Sequence, residues 1–223
     1  RLTVGFIGGS ITQGFSATDL EKCYAARTFG WLKKVFPNTE FDYVNAGIGA
    51  TDSQFGAARV QEDLLPRLPD LVFVEVSVND HSTPHFCETY EGLVRQIYGS
   101  ASAPAMVLIH NVYYDTGKSA AYYHAQVGRH YDLPCISMQN SIYPAVAAGR
   151  LPAEKITADF LHPNDLGHEF MASVITNFLE KVIHDKTQEP QEIFPAPLTE
   201  NAYEHCVRLQ YFNYTSEKSG FEE

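Results

Sequence analysis

Apolar positions along the chain switch repeatedly between a strand-like and a helix-like period, and the switches mark out its elements. Short apolar blocks at residues 2–7, 41–44, 71–78, 105–109 and 134–137 each predict a strand. The block 71–78, Leu-Val-Phe-Val-Glu-Val-Ser-Val, is nearly continuous and β-branched, as a central parallel strand covered on both faces requires. Helical stretches are expected between the blocks, at 24–36 (stopped by Pro37), about 53–65, 87–98 and about 118–131. The last helix is the clearest. Phe170, Met171, Val174, Ile175, Phe178, Leu179, Val182 and Ile183 fall in pairs four residues apart and trace one apolar stripe. This alternation predicts a three-layer α/β/α sandwich around a mostly parallel five-stranded sheet with right-handed crossovers. In such sheets chemistry gathers at the carboxyl ends of the strands.

The tail breaks the pattern. From residue 186 it carries Pro190, Pro195 and Pro197 among polar residues and shows no helical stripe. The expected division is therefore a domain over 1–186 and an extension, or a linker to a further module, over 187–223. Residues 207–214 have strand-like composition, and Phe194, Tyr211, Phe212 and Tyr214 are candidates for covering apolar surface.

Charge narrows the function classes. With 16 Lys+Arg against 27 Asp+Glu, the net charge of −11 argues against nucleic acid and anionic membranes as partners. It suits a neutral small molecule or a carbohydrate. No apolar run approaches the ~20 residues that span a bilayer, so membrane insertion is not expected. Cys23, Cys87, Cys135 and Cys206 are scattered without metal-site or disulfide spacing and lean weakly towards a reducing compartment. The sequence starts at Arg1, which leaves export open.

Four islands carry candidate chemistry. Gly8-Gly9-Ser10-Ile11-Thr12 follows the first strand, where small residues allow a sharp turn that exposes the Ser10 hydroxyl. It is not the G-x-S-x-G elbow, since Thr12 stands at the last glycine. Nor do Gly5, Gly8, Gly9 and Gly14 fit a dinucleotide fingerprint. Asn45 to Thr51 follows the second strand, and Val78-Asn79-Asp80 ends the third. Asp159-Phe160-Leu161-His162-Pro163-Asn164 precedes the last helix. A carboxylate three residues ahead of a histidine can fold back onto Nδ1 and leave Nε2 free to take a proton. Asp165, three residues after His162, is a rival partner.

In this order and at these separations the islands resemble the blocks of the SGNH (GDSL-like) hydrolases, over roughly residues 1–184. The resemblance implies a flavodoxin-like sheet and a serine esterase that uses neither metal nor cofactor. Ser10 matches the nucleophile, with Asp159 and His162 completing the triad. The implied oxyanion donors are the Ser10 N–H, the N–H of Gly49 or Ala50, and the Asn79 side chain. Two positions depart from the family: Gly9 replaces the usual aspartate, and Ala50 stands where glycine is common. The implied substrate is a small O-acyl ester, acetyl esters of carbohydrates included. A lipase or lysophospholipase of the same family would need a larger apolar acyl pocket. A binding module that retains the fold is the alternative from another class.

Other polar residues read as structural. His81 and His85 have metal-pair spacing, but Ser82 replaces the glutamate of H-E-x-x-H, and Pro84 disfavours a helix between them. His168 is expected to pack, as are Tyr113 and Tyr114, which could otherwise line a sugar cleft. Glu75, inside a central strand, is expected to be paired.

Overall fold

The computed structural model describes residues 1–185 and 194–209; residues 186–193 and 210–223 lie outside the described residues. Five parallel strands, β1 (Leu2–Gly8), β2 (Phe41–Gly47), β3 (Leu71–Glu75), β4 (Ala105–His110) and β5 (Cys135–Ser137), form one sheet in the order β2-β1-β3-β4-β5. Among the described residues eight α-helices accompany them. They are α1 (Ser10–Gln13), α2 (Tyr24–Val35), α3 (Ser53–Asp63), α4 (Pro84–Tyr98), α5 (Ala121–His130), α6 (Met138–Ser141), α7 (Tyr143–Ala147) and α8 (Asp165–His184).

The alternation along each strand sorts the core into two layers. Val4 and Phe6 of β1 and Phe73 of β3 face Tyr24 and Leu32 of α2 and the stripe Met171, Ile175 and Leu179 of α8. Ile7, Val72 and Val74 face Val60 of α3, Leu93 and Val94 of α4, and Val127 of α5. Phe6 and Phe73 stack at 4.7 Å across neighbouring strands. Fully burying such a side chain contributes about 1.5–3 kcal/mol. The three-layer arrangement is thus the one the hydrophobic pattern predicts.

Several boundaries differ. β2 runs three residues past 44, because Asn45, Ala46 and Gly47 pair with Phe6, Ile7 and Gly8. β3 stops at Glu75, since the Asn79 and Asp80 N–H groups both turn back to the Val76 carbonyl. Asn79 therefore sits in a turn beyond the strand and not at its end. Helix α4 starts at Pro84 and not at 87, which corrects the expectation that this proline disfavours a helix. Pro84 occupies the first turn, where no N–H is needed, and the Thr83 hydroxyl accepts from the Phe86 N–H. The short α6 and α7 were not foreseen.

Residues 194–209 contain no strand and run along α4. The buried Glu91 carboxylate accepts the Leu198 and Thr199 N–H groups and the Thr199 and Tyr131 hydroxyls. Arg95 donates to Glu204 and to the Pro195 carbonyl, and Phe194 stacks on Tyr98 at 4.9 Å. Tyr211, Phe212 and Tyr214, and the strand-like residues 210–214, lie outside the described residues.

Strand order places the site. From β1 the chain crosses first to β2 on one side and later to β3 on the other. The carboxyl end of β1 is therefore the topological switch point, where ligand crevices form in open α/β sheets.

Candidate active site at the carboxyl edge of the sheet

Ser10 opens the four-residue helix α1 directly after β1, at that switch point. The turn is tight. A Cβ on Gly8 would lie 2.3 Å from the Glu75 carbonyl oxygen, which accepts the Gly9 N–H. The Gly8 carbonyl is itself a hub: it accepts from the Ile48 N–H at 3.0 Å and from the buried Arg59 guanidinium at 3.1 Å. The end of β1 is thereby tied both to the loop after β2 and to α3.

The Ser10 hydroxyl oxygen lies 2.8 Å from His162 Nε2, across 152 residues of chain. His162 Nδ1 lies 2.6 Å from Asp159 Oδ2, so Nδ1–H donates and Nε2 is left to accept the serine proton. Asp159 Oδ1 also accepts the His162 N–H at 2.7 Å, the Leu161 N–H at 3.0 Å and the Thr157 hydroxyl at 3.0 Å. Partial burial opposes the charge on Asp159, but these hydrogen bonds outweigh it and hold the carboxyl well below the usual carboxylate range. The anion that orients the ring is thus secured.

Asp165 does not reach His162. Its carboxylate accepts from the Thr18 N–H and hydroxyl at 2.8 and 2.7 Å and from the Lys22 ammonium at 2.8 Å, while Asn164 caps α8. It pins the loop after α1 to the base of the histidine loop. The Lys22 ammonium and the Thr18 groups keep its carboxyl far below the usual range.

The oxyanion candidates gather around Ser10. Gly49 faces the serine, since a Cβ built on it would lie 3.8 Å from Ser10 Cβ. Its N–H, however, donates to Gln13 Oε1 at 2.9 Å. Ala50 sits at φ +59°, in the left-handed region glycine favours, and its N–H is bonded to no group among the described residues. Of the two, Ala50 is the one free to donate. Asn79 packs against Gly9: a Cβ there would lie 2.5 Å from its amide oxygen. The missing side chain at position 9 is therefore what admits Asn79 beside the serine.

Three participants gave little sequence signal. Gln13 lies three residues after Ser10 on the same turn of α1, a spacing that places both on one face. Phe15, 56% exposed, tilts over the His162 ring at 4.6 Å and makes an apolar wall beside the base. His168 is buried, accepts the Tyr24 N–H at Nδ1 and donates to the Phe15 carbonyl at 3.3 Å, so the packing residue also holds that wall.

The remaining candidates fall outside the site's chemistry. His85 Nε2 bonds the Gln54 amide oxygen, and among the described residues no group of three metal-ligating side chains comes together. Tyr114 is buried with its hydroxyl on Asn111, whereas Tyr113 is half-exposed and donates to the Val78 carbonyl beside Asn79. Glu75 departs from expectation. Ser77 donates to Oε1, but among the described residues Oε2 is buried without a partner and no cation faces the carboxyl. Burial, reinforced by the charge of Asp80, pushes it up to about 8, so it is held as the neutral acid instead of an ion pair.

A profile of the GDSL-like Lipase/Acylhydrolase family matches residues 6–170, which takes in all four islands. The chain belongs to this family. Among solved structures, this GDSL-like chain is similar to a two-domain esterase active on acetylated mannans, co-crystallised with mannopentaose. Identity is 54% and the TM-score 0.90, over 94% of this chain and 56% of that one. A second structure of a two-domain esterase active on acetylated mannans gives 52% identity and a TM-score of 0.93, over 95% of this chain and 57% of that one. The present chain thus spans little more than half the length of those two-domain proteins. An acetylxylan esterase from Geobacillus stearothermophilus shares the fold at 18% identity and a TM-score of 0.66, over 79% of this chain and 93% of that one. A search of the curated proteins found no match.

Proposed function

We propose that the chain is a serine esterase that hydrolyses small O-acyl esters, acetyl groups on a carbohydrate, through an acyl-enzyme on Ser10. The observation that carries this reading is the unbroken relay from Ser10 Oγ through the His162 ring to the Asp159 carboxylate. His162 Nε2 takes the hydroxyl proton as Oγ attacks the ester carbonyl. The tetrahedral oxyanion forms against the Ser10 N–H, the Ala50 N–H and the Asn79 amide. His162 then hands the proton to the departing sugar alcohol. A water molecule repeats the sequence on the acyl-enzyme and releases acetate. The imidazolium formed in each half is stabilised by Asp159, which stays ionised.

The carbohydrate alcohol is supported by the acetylated-mannan esterases that resemble this chain at 52–54% identity. We further propose a hydrolase domain over 1–186 followed by an extension over 187–223; its described part, 194–209, wraps along α4 and adds no strand to the sheet, which supports this. Function is tested with aryl esters of graded chain length set beside acetylated mannan and acetylated xylan. Release of acetate, fastest from the two-carbon aryl ester and from a polysaccharide, is expected. A preference for long acyl chains would move the reading to a lipase of the same family. No turnover on any ester would overturn it.

A further inference from the structure

Directly after Asn79 stands a charged side chain that cannot touch substrate. The Asp80 and His124 side chains are both fully buried. Asp80 Oδ1 accepts the Ser53 N–H at 2.8 Å, and Oδ2 accepts from His124 Nε2 at 2.8 Å. The ring of His124 lies flat on Tyr90, with centroids 3.7 Å apart and planes within 5°. His110, itself held neutral by burial, lies beside it with ring centroids 5.8 Å apart and planes at 61°. Among the described residues His124 Nδ1 is buried with no partner, so the one hydrogen bond this imidazole makes there is to Asp80. A buried ion-like pair of this kind is seldom worth more to stability than apolar residues of equal volume. What it supplies is fixed geometry.

That geometry joins the two halves of the oxyanion hole. Asn79 is the chain neighbour of Asp80, and Ser53 stands three residues after Ala50. The two donors come from different strand ends, and the Asp80 carboxylate spans the gap between their loops. We propose that Asp80 and His124 are positioning residues that set the separation of the Ala50 N–H and the Asn79 amide; this rests on the esterase reading above. His124 Nε2–H fixes the carboxylate's orientation, and the Tyr90 stack fixes the ring.

The test compares His124→Phe, which keeps the stack but removes the donor, with His124→Gln, whose amide N–H restores it. Steady-state kinetics on an acetyl ester are measured for both, beside Ser10→Ala. Because a donor misplaced by ~1 Å costs on the order of 10²-fold, kcat for His124→Phe is expected to fall about 10- to 100-fold. KM should stay within about threefold, since ground-state binding is untouched. The pH midpoint of kcat/KM, which reports the Ser10–His162 pair, should not move. His124→Gln should recover most of the loss. Should His124→Phe fail to fold, Asp80→Asn carries the same expectation, because its single amide oxygen cannot accept from both the Ser53 N–H and His124 Nε2–H. Near-native kcat in these variants would overturn the positioning role while Ser10→Ala remained inactive. So would equal loss in the Phe and Gln variants, or a moved pH midpoint. An active Ser10→Ala would instead overturn the esterase reading itself.

Discussion

Glu75→Gln isolates the cost of a carboxyl held in the interior. In the folded chain burial pushes Glu75 up to about 8, against an ordinary value of 4.5. Below pH 4.5 folded and unfolded chains both keep the proton, and the group does not affect stability. Between 4.5 and 8 the unfolded chain releases a proton that the folded chain retains, so stability falls as pH rises. Above 8 the loss levels off. At about 1.36 kcal/mol per pH unit, the span from 4.5 to about 8 amounts to a loss on the order of 5 kcal/mol. Gln carries the same shape without a proton to release. Urea unfolding of both proteins at intervals from pH 4.5 to 8 gives the difference in free energy, in which all other groups cancel. The expected result is a wild type that loses on the order of 5 kcal/mol relative to the variant over this range. Parallel stability curves would show that Glu75 ionises as it does in water, and that the neutral acid is wrong.

Other perturbations separate the groups around the site. Asp159→Asn should lower kcat on the order of 10³- to 10⁴-fold by releasing the His162 tautomer, whereas Asp165→Asn should cost less than about tenfold; the reverse ranking in steady-state kinetics would transfer the orienting role. Gly9→Ala drives a methyl group into the Asn79 amide and should lower kcat by up to about 10²–10³-fold at little-changed KM, so near-native turnover would contradict the placement of Asn79. Glu91→Ala leaves four donors without their acceptor and should destabilise the chain by about 3 kcal/mol or more, with faster proteolysis within 194–209; unchanged cleavage would mean this segment is held by other contacts.

The parts of the fold that rest on periodicity were legible: five strands, the major helices between them, and the apolar stripe of α8 facing β1 and β3. Boundaries failed where burial and strand pairing part company. Val76 and Val78 are buried as a strand's residues would be, yet their backbone has already turned, so composition extended β3 too far. Pro84 misled because the same residue breaks a helix interior and starts a helix. In the site, the Asp159-x-x-His162 spacing carries its own geometry, since three residues suffice for a carboxylate to fold back on a ring. The choice between Gly49 and Ala50 was not legible, because it depends on where Gln13 points its amide. Nor was the Asp80–His124 pair, whose partners lie 44 residues apart and meet only once α5 packs beside α4. Glu75 shows the converse: its position in a buried strand was plain, but only the absence of a facing cation among the described residues decided between an ion pair and a neutral acid.

The central claim is that Ser10 is a nucleophile activated by His162. A fluorophosphonate probe, which bonds only to an activated hydroxyl, tests it most directly, with the labelled peptide identified by mass spectrometry. One adduct per chain, on Ser10, is expected, and none is expected in Ser10→Ala or at comparable speed in His162→Ala. Labelling of Ser10→Ala at the native rate, or an adduct on any other residue, would contradict the account.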